Sequence, residues 1–131
     1  MTRQVIHTDA APAAVGPYSQ AISANGFVYT AGQVPLVPET GALIEGDIQV
    51  QTRQALTNLQ AVLQAAGSDL AHVVKTTVFL NDMDDFSAMN EIYAEFFGEN
   101  PPARSAVEVA RLPLDAQVEI EAVALVAASE D

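Results

Sequence analysis

Cysteine is absent from the 131 residues, which excludes disulfides, thiolate nucleophiles and sulfur-ligated metals. Histidine is scarce as well, and His7 and His72 stand too far apart in sequence to read as a ligand cluster. Cations are few: five Lys plus Arg face 17 Asp plus Glu, a formal net charge of −12. The five are scattered as Arg3, Arg53, Lys75, Arg104 and Arg111. A nucleic-acid partner draws its affinity from cations concentrated on one face, so this balance argues against one. No GxGxxG, P-loop or GxSxG pattern occurs, and no metal or organic cofactor is expected. No continuous apolar run approaches the roughly 18 residues that span a bilayer, and Met1 to His7 carries no signal-peptide apolar region. The expectation is a soluble, unexported, cytoplasmic protein with no membrane partner.

What is present is apolar, since 50% of the residues are hydrophobic. A chain of this length fits one domain, 1–131, that hides roughly two thirds of its unfolded surface. Residues 4–7 read as a short edge strand. Asn25-Gly26, between the strand-like runs of "AISANGFVYTAG", is the strongest short hairpin signal available. From Asp47, a plausible N-cap, Ile48, Ala55, Leu56, Leu59, Val62, Leu63 and Ala66 follow the helical period, and Gly67 closes the helix. Residues 72–80 are β-branched and bounded by turn signals, the pattern of a strand. A second helix then starts at an Asp82 or Asp84 cap. It buries Phe86, Met89, Tyr93, Phe96 and Phe97 and ends at Gly98, before Pro101-Pro102. Strands near 103–110 and 117–127 close an α+β order βββαβαββ.

Alternation sorts the side chains of the last two strands. Arg104, Ala106 and Glu108 point one way and Ser105, Val107 and Val109 the other; Glu119 and Glu121 oppose Val118, Ile120 and Ala122. The apolar sides are expected to meet the two helices, and since two helices cover only one face of a sheet, the charged sides face either water or another subunit. Ala106, Val123 and Leu125 dilute that charged face and suggest partial burial in an oligomer. A buried Arg104 needs an anion, because an unpaired interior charge costs about 3–5 kcal/mol. Glu119 or Glu121 could neutralise it, or its fork could be held open for a small carboxylate while a glutamate handles a proton. Spacing leaves both readings open.

Four segments carry a resemblance: "GPYSQA" (16–21), "YTAGQVP" (29–35), "VVKTTVFLNDMDDFSAMNEIY" (73–93) and "PPARSAVEVARLPLDAQVEIEAVA" (101–124). Over about Pro12 to Ala124 the chain resembles the Rid (YjgF) family, and most of all its RidA-type branch. Members of that branch hydrolyse reactive 2-imino acids and enamines, the products of pyridoxal-phosphate enzymes, to 2-keto acids and ammonia. The resemblance implies a chorismate-mutase-like fold, a mixed sheet with two helices on one face. It further implies a homotrimer whose sheets form an inner barrel, with clefts at three subunit interfaces. The substrate class implied is a small 2-imino acid such as 2-iminobutanoate or 2-iminopropanoate, with functional coupling to pyridoxal-phosphate enzymes.

Position by position, the resemblance makes Arg104 the holder of the substrate carboxylate, helped by the backbone amide of Gly32. Glu119 would orient or deprotonate the attacking water. Tyr18 would line the cleft and supply a hydroxyl, Asn90 would stand near its mouth, and Gln33 follows Gly32 as a further candidate. Many RidA-type members have cysteine two residues after the arginine. This chain has Ala106, which excludes a thiol there, and the implied chemistry uses only the main chain at that position. Ala31 stands where some members carry serine. The rival reading is a non-catalytic small-carboxylate sensor or partner-binding regulatory protein using the same arginine. The acidic balance weighs against the nuclease role attached to some relatives, and no segment of the sequence argues for the chaperone role attached to others.

Overall fold

In the computed structural model, which describes residues 2–126, β1 (Gln4–Ile6) lies antiparallel to β2 (Ala21–Ala24), and β2 to β3 (Phe27–Thr30). Asn25 and Gly26 join the last two with φ of 53° and 84°. Two positive φ angles in a two-residue loop match the right-handed twist of the flanking strands, and asparagine and glycine tolerate them best.

The helix α1 (Ile48–Ala65) begins where Asp47 accepts a hydrogen bond from the Val50 N–H at 3.0 Å. It stops at Ala66, followed by Gly67 at φ 81°. Its inward stripe of Ala55, Leu56, Leu59, Val62 and Leu63 is fully buried. Burial of each large aliphatic side chain contributes about 1.5–3 kcal/mol. Strand β4 (Val73–Leu80) leads into α2 (Phe86–Phe97) through a 3-10 turn that Asp82 caps by accepting from the Asp84 N–H at 2.9 Å; the N-cap of α2 itself is Asp85, which makes no side-chain cap bond, so neither expected aspartate caps the helix directly. Met89, Ile92 and Tyr93 are the buried residues of α2, with Phe86, Phe96 and Phe97 packed at the margins. Gly98 ends it at φ 58°.

The sheet closes with β5 (Ala103–Glu108) and β6 (Val118–Leu125), each shorter than the hydrophobic pattern suggests. Residue 127, which that pattern includes in the last strand, lies outside the described residues. The six strands form one mixed sheet in the order β1-β2-β3-β6-β4-β5. Only β4 and β5 are parallel, as a connection through α2 allows. Both helices pack on one face and enclose a single apolar core. Among the described residues no helix is long and apolar enough to cross a membrane.

One expectation is overturned. Register pairs Arg104 with Thr76, and Thr76 with Ala122, so these three share a face. That face is the helix side, since Thr76 is fully buried, Ala122 is buried and Ala106 packs against the core. Arg104, Ala106 and Glu108 therefore belong to the helix side, and Ser105 and Val107 to the open side. Glu119 and Glu121, with Val123 and Leu125, do lie on the open side as expected. The reason is that β5 is an edge strand with apolar residues on both faces, so alternation sorts its side chains into two sets without assigning either set to the core.

The open face is not a solvated polar surface. Val5, Ile22, Tyr29 and Val123 stand opposite one another across β1, β2, β3 and β6 as a continuous apolar row. Val5 is 58% exposed and Tyr29 47%.

Candidate functional site

The residues singled out by sequence fall into two groups. Arg104 leaves β5 toward α2, where its Nη1 donates to Asn90 Oδ1 at 2.7 Å. The guanidinium carbon stands 4.7 Å from the Tyr93 ring centroid and 5.3 Å from that of Phe86. Asn90 is a neutral amide, and no carboxylate among the described residues pairs with Arg104. Glu119 and Glu121 cannot neutralise it, because they project from the opposite face. The half-buried guanidinium thus keeps its full charge and has donors left over. Such a group is stabilised by an incoming anion, and its planar fork matches a carboxylate.

The second group lines a cleft of about 570 Å³ that includes Tyr18, Gly32, Gln33, Leu114 and Glu119. Gly32 follows β3 in an extended connection. Ala31 N–H donates to Gln20 O at 2.9 Å and Gln33 N–H to Ile120 O at 2.8 Å. Between them, the Gly32 N–H meets no acceptor among the described residues. A Cβ at Gly32 would overlap the Glu119 carboxylate and come within 2.7 Å of its Cδ, so only glycine lets this side chain lie across the backbone. Burial raises the Glu119 pKa above the ordinary carboxylate value, and the Glu121 charge on the same face adds to the rise. Tyr18 is 52% exposed, and its hydroxyl accepts only a long 3.5 Å contact from Val15 N–H. Leu114 and Asp115 take φ of 56° and 58° in succession. This strained turn carries the exposed Leu114 side chain to the cleft, with Pro113 beside it.

Within one chain the two groups do not converge. Arg104 and Glu119 lie on opposite faces and are three register positions apart, about 10 Å along the strands at the usual rise. Asn90 and Ala106 go with the arginine; Tyr18, Gly32 and Gln33 go with Glu119. A second hollow of about 420 Å³ between α1 and α2 holds no such free cation, because Arg53 donates to Glu95 at 3.0 Å there. Sequence reasoning missed Phe86, Tyr93 and Thr76 as surroundings of the arginine. Their signal was available: Phe86, Asn90 and Tyr93 are spaced i, i+4, i+7 on one edge of α2.

The family model described as Endoribonuclease L-PSP matches residues 8–126. The chain is 57% identical to a RutC family protein of Pyrococcus horikoshii, over 93% of this chain and 97% of that protein. It is 51% identical to a Mus musculus protein named 2-iminobutanoate/2-iminopropanoate deaminase, over 94% of this chain and 91% of that one. The crystal structure of E. coli TdcF with bound serine superposes with a TM-score of 0.89 at 44% identity, covering 93% of this chain and 98% of that chain. A six-stranded mixed sheet backed by two helices, matched along nearly its whole length in sequence and structure, places the chain in the Rid (YjgF) family.

Proposed function

We propose that this protein hydrolyses reactive 2-imino acids, 2-iminobutanoate and 2-iminopropanoate, to 2-keto acids and ammonia, as a homotrimer with its sites between protomers. The observation that carries this reading is the half-buried Arg104 guanidinium with no carboxylate partner. Naming of a relative at 51% identity as such a deaminase supports the reaction class. A relative solved with bound serine supports a small 2-amino-acid-like ligand.

The chemistry asks little of the protein. A 2-imino acid presents a carboxylate and, once its nitrogen is protonated, an electrophilic carbon. Arg104 takes the carboxylate through its remaining donors, and the Gly32 N–H of the adjoining protomer adds a neutral one. Glu119 accepts a proton from water as the oxygen bonds to the imine carbon, and the C=N π pair moves to nitrogen. Glu119 returns its proton to the amine nitrogen, and the carbinolamine expels ammonia as its hydroxyl proton passes to Glu119 and the C=O forms. Tyr18 lines the cleft, and Ala106 leaves its main chain accessible without adding a reactive side chain. Fixing both reactants supplies much of the rate enhancement. No metal or organic cofactor has a step to perform. The protein would act in the cytoplasm beside pyridoxal-phosphate enzymes that release such imines.

The trimer resolves the separation of the two groups. The apolar row on the open face and the exposed Leu114 are surfaces that a neighbouring protomer would cover, and a homotrimer would bring Arg104 of one chain to the Glu119 cleft of the next. Subunit mixing tests this. Arg104→Ala and Glu119→Gln proteins, each inactive alone, are unfolded together and refolded in equal amounts. Random association restores roughly a quarter of the wild-type sites, because each site draws the two residues from different chains. Activity that stays absent from the refolded mixture, while refolded wild type regains its own, would overturn the shared site. Tight carboxylate binding by wild type without any acceleration of imine hydrolysis would instead favour a sensor.

Gly32→Ala is a sharper probe of Glu119. The new methyl displaces the carboxylate, and a misplacement of about 1 Å lowers kcat by around 10²-fold. Because Glu119 can swing into the open cleft, the melting temperature should stay near that of wild type. A crystal structure of the variant should find the side chain moved.

A further inference from the structure

Arg104 is held on two sides, and only one of them is a hydrogen bond. Asn90 engages Nη1, while the guanidinium carbon stands over the Tyr93 ring, 4.7 Å from its centroid, and 5.3 Å from that of Phe86. A cation over an aromatic face is attracted by the ring quadrupole, and a guanidinium stacked there still directs its in-plane N–H groups outward. The Tyr93 ring is itself fixed. Its hydroxyl shares a 2.8 Å hydrogen bond with Thr76 Oγ1, and its other neighbour is Phe97, with centroids 4.5 Å apart. Tyr93 is 6% exposed and Thr76 is fully buried. Thr76 is also the cross-strand partner of Arg104 in the β4–β5 register. The chain therefore returns on itself: backbone pairing ties Arg104 to Thr76, Thr76 pins Tyr93, and Tyr93 carries the guanidinium. An arginine on an edge strand without that support would have many rotamers to lose when a ligand arrives, and the loss would weaken binding.

We propose that Tyr93, pinned through Thr76, is a positioning residue that keeps the Arg104 fork ordered for a carboxylate ligand. This deepens the function proposed above and rests on its assignment of the substrate carboxylate to Arg104. Phe86 and Asn90 bound the same fork, but of the three only Tyr93 is a buried member of the core.

The test uses the full-length protein, with 2-oxobutanoate as an unreactive carboxylate probe followed by NMR titration, beside the coupled deaminase assay. Tyr93→Leu removes the shelf. It weakens 2-oxobutanoate binding about tenfold and raises KM to match, with kcat within about threefold of wild type, as loss of uniform binding requires. Tyr93→Phe keeps the ring and restores affinity to within about threefold. Thr76→Val loses the same hydrogen bond as Tyr93→Phe and, like it, falls between wild type and Tyr93→Leu. A purely structural tyrosine would lower the melting temperature and leave KM and probe affinity at wild-type values; that result in Tyr93→Leu overturns the inference and leaves the deaminase reading untouched. Binding that depends on Arg104 and Tyr93 in a protein without turnover upholds the inference while the deaminase reading fails. Wild type without affinity for the probe overturns both.

Discussion

Arg104→Ala is expected to lower kcat/KM for 2-iminobutanoate by about 10²- to 10⁴-fold, since two hydrogen bonds to a charged group are worth about 1.5–3 kcal/mol each. The same substitution should leave the melting temperature within a few degrees of wild type or raise it. The sign of the stability effect is what separates function from architecture. Breaking a buried ion pair strands a charge and costs about 3–5 kcal/mol. Here no carboxylate would be stranded: the guanidinium's one hydrogen-bonding partner is the neutral Asn90 amide, and its other neighbours are the Tyr93 and Phe86 rings. Removal relieves a partly desolvated, unneutralised cation. Release of imine-derived 2-oxobutanoate, coupled to a dehydratase that generates the imine, reads the first effect, and thermal unfolding reads the second. A large loss of stability with unchanged activity would mean the arginine serves the fold.

Glu119→Gln is expected to reduce kcat by about 10²- to 10⁴-fold, the usual contribution of a positioned general base, with KM little changed. The acid side of the wild-type pH profile carries a further signature. Burial, and then the Glu121 charge, raise the Glu119 pKa. A base must be ionised to work, so kcat should fall with decreasing pH through a value above that of an ordinary carboxylate, and the limb should vanish in the glutamine variant. Stability runs the other way. A folded-state pKa above the unfolded one means that the native state binds the proton more tightly. Glu119 therefore favours folding most below the unfolded value, and that contribution is lost as pH rises through the raised folded value. Glu119→Gln should flatten this part of the stability profile. An acid limb that persists in Glu119→Gln would assign the titration to another group.

Several parts of the molecule were legible in the sequence because their causes are local. Asn25-Gly26 accepts the two positive φ angles of its turn, Asp47 caps α1, and Gly67 and Gly98 close the two helices in left-handed conformations. The two helices, six strands and their order needed no long-range information. The candidate site was legible in part. Arg104 and Glu119 stand out by residue type and motif, but their neighbours did not: Tyr93 and Phe86 read as ordinary members of an α2 stripe, and Thr76 as one β-branched residue among several.

Residue order by itself determined the elements, their boundaries to within a few residues, and the scarcity of cations that makes an unpaired arginine informative. Only the tertiary structure decided which way Arg104 faces. Alternation fixes which side chains of β5 travel together, whereas the core face of an edge strand is chosen by its register with β4 and by where α2 lands. That choice puts the arginine against α2, on the side opposite Glu119. Period-two patterning misleads here, because the face of this strand that carries both charges, Arg104 and Glu108, is the one turned toward the helices.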